Sequence, residues 1–91
     1  MTKYIVRNAL VATDLGAEKA ILNVENGVYY GLNEVGRWVW EQLQEPVDLE
    51  TLRDRMTAEY EVDAETAEQD LRALLEQLVK ESLIVAEGTD E

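Results

Sequence analysis

Apolar residues change their spacing once along this chain, near residue 33. Before that point, runs rich in β-branched and aromatic residues alternate with turn residues: Tyr4 to Ala12, Ala20 to Val24 and Val28 to Leu32 read as three strands. "TDLGAEK" supplies the first turn and Asn26-Gly27 the second. Both residues of an Asn-Gly pair tolerate the positive φ of a type I′ turn. A two-residue loop is therefore expected, pairing Glu25 with Val28, Val24 with Tyr29, Asn23 with Tyr30 and Ile21 with Leu32. In that register Val28, Tyr30 and Leu32 share one face of the sheet, and Tyr29 and Gly31 share the other.

After residue 33 the period is helical. Asn33 is a good N-cap; beyond it Val35, Trp38, Val39 and Leu43 recur at helical spacing, with Gly36 and Trp40 in a second row. The helix must end by Glu45-Pro46, because proline disfavours helix in the residue before it. Asp48 caps a second helix carrying Leu49, Leu52 and Met56, with Tyr60 close behind. Asp63 caps a third, in which Ala67, Leu71, Leu74 and Leu78 form the inward stripe and Leu75 and Val79 widen it. "LIV" at 83–85 is expected to pack back, and "AEGTDE" to fray. The expected organisation is a single domain over 1–85 and an acidic tail over 86–91. Its fold class is α+β and winged-helix-like: a three-stranded antiparallel meander followed by three helices.

A meander leaves its third strand unpaired on one side, and natural edge strands are blunted by lysine, proline or a bulge. "VYYGL" has none of these. The edge reads as a surface meant for use.

Charge sharpens the picture. The chain has 91 residues and a formal net charge of −12. Residues 1–40 hold four acidic and four basic side chains, whereas residues 41–91 hold sixteen acidic and four basic. Such a field repels phosphate backbones and suits a cationic peptide, though solubility alone also accounts for it. No Cys or His occurs, so thiolate nucleophiles, imidazole bases and Cys/His zinc sets are excluded. A chain of this size can build one modest core and little enclosed space besides. No apolar run approaches the roughly 20 residues of a membrane span, and "MTKYIVRNAL" lacks a signal-peptide pattern, so a cytoplasmic, non-enzymatic protein without cofactor or metal is expected.

"YYGLNEVGRWVWEQL" followed by "VDLETLRDRMTAEYEVDAETAEQDLRALLEQLVKESLI" resembles the PqqD-like family, the winged-helix recognition elements that hold leader peptides of ribosomally made natural products (RiPP recognition elements). The likeness spans roughly residues 20–85. It rests on Leu32-Asn33, Gly36, Val39-Trp40 with Leu43, the Tyr60-x-Val62-Asp63 entry to the third helix, and Asp70-Leu71 with Leu74-Leu75 and Leu78. Trp38 stands where family members often carry a small residue. The resemblance implies a non-catalytic module that takes a precursor's leader peptide as an antiparallel strand on strand three, in the cleft beside helix three. It further implies lasso-peptide biosynthesis, with a separate cysteine protease and an ATP-dependent cyclase as partners. A PqqD-type chaperone that delivers a precursor to a radical SAM enzyme is the alternative within the family.

The candidate peptide-binding residues are Val28, Tyr29, Tyr30, Gly31 and Leu32 on the edge strand and Ala67, Asp70, Leu71 and Leu74 on helix three. Tyr30 fits a groove wall and a core position equally; Trp38 and Trp40 read as structural, locking strand three to helix one. Asp70 lies on the flank of the inward stripe, where it meets either a leader cation or only solvent. Asp63/Glu65 and Glu68/Asp70 offer paired carboxylates, but neither a substrate cleft nor a calcium-loop pattern accompanies them. The same helix order allows a winged-helix DNA binder. Its recognition helix would carry six acids and two bases between Asp63 and Glu81, so insertion into a groove of DNA is disfavoured. An adaptor or oligomerisation domain using the same edge is the third class.

Overall fold

Two three-stranded antiparallel sheets, rather than one, flank the helices in the computed structural model, which describes residues 2–7 and 10–88. The elements run β1 (Thr2–Val6), β2 (Leu10–Leu15), β3 (Glu18–Asn23), β4 (Val28–Leu32), α1 (Glu34–Gln42), β5 (Val47–Asp48), α2 (Leu49–Glu59), α3 (Ala64–Lys80) and β6 (Ile84–Gly88). One sheet is the expected meander, β2-β3-β4, with β4 at its edge; the other has the order β5-β1-β6. The α+β class holds.

The run expected as one strand from Tyr4 to Ala12 is two strands in different sheets. The Val6 amide donates to the Leu43 carbonyl (3.0 Å) and the Arg7 amide to the Leu83 carbonyl (3.1 Å), which draws the end of β1 toward the ends of α1 and α3. Ile84 through Gly88 pair with Val6 through Thr2, so order extends to Gly88, and the fraying expected of Ala86, Glu87 and Gly88 is not seen. Residues 89–91, the rest of that tail, lie outside the described residues.

The β3–β4 register also differs. Asn23 pairs with Val28, Ile21 with Tyr30 and Lys19 with Leu32, two residues away from the expected pairing. Two side chains cause this. Asn23 Oδ1 accepts from the Glu25 amide (2.9 Å) and Asn26 Oδ1 from the Val28 amide (2.9 Å), two Asx turns that close a four-residue loop. Only Gly27 in that loop takes a positive φ, so no type I′ turn forms. A slip of two residues preserves which side chains share a face, and the inward set Tyr30 and Leu32 survives unchanged.

The helix starts follow local chemistry. Asn33, Asp48 and Asp63 each accept a hydrogen bond from the amide three residues on, at 2.8, 2.7 and 2.7 Å. The core gathers Ile21 and Leu32 from the meander, Val39, Trp40 and Leu43 from the α1 region, Leu52 and Met56 from α2, and Leu83 and Ile84. On α3 the fully buried stripe is Ala67, Leu71, Leu75 and Leu78. Leu75, expected only to widen the stripe, is in the core, and Leu74 is turned partly out.

Candidate functional site

The first turn of α1 follows β4 with a single residue between them, so the end of the edge strand and the start of the helix share one corner of the molecule. α3 crosses beside that corner. Together they form an open groove of about 440 Å³, walled by Tyr30, Gly31 and Leu32 from β4, Asn33, Val35 and Gly36 from the start of α1, and Asp70 and Leu74 from α3.

Of the nine residues singled out from the sequence, Tyr30, Gly31, Leu32, Asp70 and Leu74 line this groove. Val28 and Tyr29 lie on the same edge strand outside it, and Tyr29 is 71% exposed on the opposite face of the sheet. Ala67 and Leu71 are buried, at 0% and 1% exposure. They belong to the core and do not line the groove. Asn33, Val35 and Gly36 were not among the candidates for contact. The absence of a linker between Leu32 and the helix cap was the signal that could have found them.

The groove is apolar in its floor and acidic at its rim. Leu32, Leu74 and Val35 supply hydrocarbon, and Asp70 supplies an exposed carboxylate that makes no ion pair among the described residues. Tyr30 is half-buried; burial first and the nearby Glu81 carboxylate second raise its phenol above the ordinary value. Its ring is therefore both wall and core satellite.

The remaining acids have other work. Asp63 is the α3 cap. Glu68 accepts from Arg53 of α2 (3.1 Å) and Arg72 (2.9 Å), and the two guanidiniums, Arg72 first, hold its carboxyl below the usual range. By helix geometry Glu68 and Arg72 lie about 160–200° round α3 from Asp70, on the far face. No three His, Cys, Asp or Glu side chains among the described residues gather as a metal site.

The aromatic joint is braced from both sides. Trp40 is buried in the core, while Trp38 meets Tyr60, at the end of α2, edge to face with ring centroids 5.7 Å apart. At the end of the sheet where β4 runs into α1, Arg37 of α1 holds the β2–β3 turn through the Gly16 carbonyl and Asp14. α1 is thereby fixed to both the sheet and α2, and the edge strand is held in a preset geometry.

Comparison with known proteins gives three findings. Residues 18–84 match the family described as "Coenzyme PQQ synthesis protein D (PqqD)". A solved structure described as "TbiB1 in Complex with the TbiA(beta) Leader Peptide" is 34% identical, covers 96% of this chain and 99% of its own, and superposes with a TM-score of 0.81. A second, "Lasso peptide synthetase B1 complexed with the leader peptide", shares the fold at 22% identity and a TM-score of 0.80, covering 90% of this chain and 96% of its own. No curated protein matches the chain. With nearly three quarters of its length and its whole groove region inside the family match, the chain belongs to the PqqD family.

Proposed function

We propose that this chain is a recognition module that binds the leader segment of a ribosomally made precursor peptide as an added strand on β4, in the groove beside α3, and presents it to separate processing enzymes. One observation carries the reading: an edge strand without gatekeepers forms one wall of an open groove whose other wall is a helix. Main-chain hydrogen bonds to Val28–Leu32 supply affinity, and side-chain positions at alternate residues supply selection. Leu32, Val35 and Leu74 receive apolar side chains, and Asp70 receives a cation. Ala67 and Leu71 act only as members of the core.

The lasso-peptide pathway is favoured within this reading: the 34%-identical relative is held with a leader peptide, and the second solved structure of the same fold is described as a lasso peptide synthetase complexed with the leader peptide. Its chemistry lies with partners, a cysteine protease and an ATP-dependent cyclase. The outer face of the meander supports such partners: Val11, Leu22 and Tyr29 form a cross-strand apolar row, and Val11 and Leu15 are 50% and 58% exposed. A largely apolar sheet face of this kind, with Glu18 beside Leu15 as its charged end, suits transient docking of another protein. Cytoplasmic location belongs to the same reading; no helix among the described residues is long and apolar enough to cross a membrane.

Amide hydrogen exchange on the complex with the TbiA(beta) leader peptide, or with the leader of a precursor found to bind more tightly, tests the proposal. Protection is expected at alternate amides of β4. Binding that protects β2 or β6 and leaves β4 unchanged would show that the edge has been misassigned.

A further inference from the structure

Gly31 sits in the middle of an edge strand, where glycine weakens a sheet and offers nothing to pack. Its φ is not positive, and a Cβ built on it meets no atom within 4 Å. Neither backbone conformation nor crowding within the chain requires a glycine there. On the outer face it continues the cross-strand row Thr13–Ala20–Gly31, which is small throughout, beside the taller row Val11–Leu22–Tyr29. The two rows make a step: a low shelf of Ala20 and Gly31 walled on one side by Leu22 and the exposed ring of Tyr29.

We infer that this shelf is a second specificity site, which takes an aromatic side chain of the bound peptide on the face of the sheet opposite the groove. The inference rests on strand addition to β4. A residue of an antiparallel added strand placed opposite Gly31 projects to the outer face, and its ring can lean across the missing side chain toward Ala20. Aromatic residues cover cross-strand glycines in this way, and a ring there also reaches Tyr29 diagonally, at about 7–8 Å. Its neighbours in the peptide oppose Tyr30 and Leu32 and face the groove. The preferred ligand is thus an extended segment with an aromatic residue flanked on both sides by groove-facing residues.

Random dodecapeptides displayed on phage, selected on the intact wild-type chain and on Gly31→Val, test this. The wild type is expected to enrich peptides with an aromatic residue at a fixed spacing from the groove anchors. Gly31 borders the groove through its backbone alone and a side chain there projects to the outer face, so Gly31→Val is expected to keep the anchors and lose the aromatic. In the best peptide, made synthetically with a fluorescent label, changing that aromatic to alanine should weaken binding about tenfold to the wild type and less than twofold to Gly31→Val. The variant should also unfold at an equal or higher temperature, since valine suits a strand better than glycine, so weaker selection cannot be laid to misfolding. Enrichment without any aromatic preference, or a preference that survives in Gly31→Val, overturns the shelf while leaving strand addition standing. If neither protein enriches any peptide, strand addition itself fails and the shelf with it.

Discussion

A Cβ placed on Gly36 would lie 3.3 Å from both Cβ and Cδ2 of Leu32, so any side chain there would press the edge strand away from the first helix by a few tenths of an ångström. Leu32 is buried, and the third neighbour of that Cβ, Asn33 Oδ1, is engaged in capping the helix. Replacing Gly36 by alanine gains about 1 kcal/mol of helix propensity but incurs an overpacking cost of about 1–3 kcal/mol. Net loss is expected, up to about 2 kcal/mol in a denaturant titration, together with weaker peptide binding because Gly36 also lines the groove. A variant as stable as the wild type would mean the corner is looser than this spacing implies.

Proline reports on the edge directly. Along a strand successive N–H groups point alternately toward and away from the paired neighbour, so Tyr29 and Tyr30 differ in which side their amides serve. One of Tyr29→Pro and Tyr30→Pro is expected to remove a donor to the added peptide, and the other a donor to β3. The first should bind peptide at least tenfold more weakly than its alanine counterpart with circular dichroism intact; the second should mainly unfold at lower temperature. Equal peptide affinity in both folded variants would end the strand-addition reading.

Legibility of the fold followed the range of the interactions that set each feature. The caps at Asn33, Asp48 and Asp63 could be read because donor and acceptor are three residues apart. The free edge at β4 could be read because gatekeepers are a matter of residue type. The break after Val6 could not, because its amide bonds to Leu43 and that of Arg7 to Leu83, partners that only the assembled fold brings near. The hairpin register turned on whether Asn23 and Asn26 spend their side chains on local amides, which the Asn-Gly pattern does not reveal. At the groove, periodicity gave the faces of Tyr30, Leu32, Asp70 and Leu74, and the family resemblance made them candidates for contact. Ala67 and Leu71 are buried, as their place on the inward stripe of α3 requires; they became contact candidates through the resemblance and not through their spacing.

Ser82 ends α3 with a φ of 64°, the one positive value among the described non-glycine residues. Its amide donates to the Val79 carbonyl and that of Leu83 to Leu78, which is the Schellman arrangement, and it favours glycine at this position. Ser82→Gly is expected to relieve about 1 kcal/mol of left-handed strain, partly offset by the greater freedom of glycine in the unfolded chain. A rise of a few degrees in the thermal midpoint should follow. Ser82→Val should lower it.

Acid should destabilise the fold in a defined window. Hydrogen bonds from Thr51 and Thr66 hold the carboxyls of Asp48 and Asp63 below their ordinary value of 3.8, and Lys19, then Arg37, does the same to Asp14. Groups with lowered folded values contribute stability that is present above about pH 4 and lost as pH falls through the folded values. Relief of self-repulsion among the other acids acts in the opposite direction near that range, so the single-site comparison is the informative one. Asp63→Asn keeps the cap and removes the titration; its stability relative to wild type should improve steadily as pH drops below about 4. A difference between the two proteins that is constant from pH 7 to pH 2.5 would show that Asp63 gains nothing from its charge.

Asp70 is the remaining electrostatic element, an exposed carboxylate on the groove wall with no ionic partner among the described residues. On the reading that it receives a leader cation, association should slow as salt rises, because the screening length falls from about 10 Å at 0.1 M to about 3 Å at 1 M. Strand pairing and apolar contacts survive that change, so affinity should decline to a plateau rather than vanish. Asp70→Asn keeps the shape of the wall and removes the charge. For an exposed pair it is expected to weaken binding about fivefold or less at low salt and to reduce the salt dependence in step. Glu76→Gln serves as the control, since Glu76 is exposed on the same helix but does not line the groove. It removes the same charge from the overall field and should leave affinity within twofold of the wild type. Fluorescence polarisation with one labelled peptide at two salt concentrations separates the cases: identical behaviour of the two variants would reduce Asp70 to one acid among many, and a specific loss at Asp70 alone places a basic residue of the peptide against the groove wall.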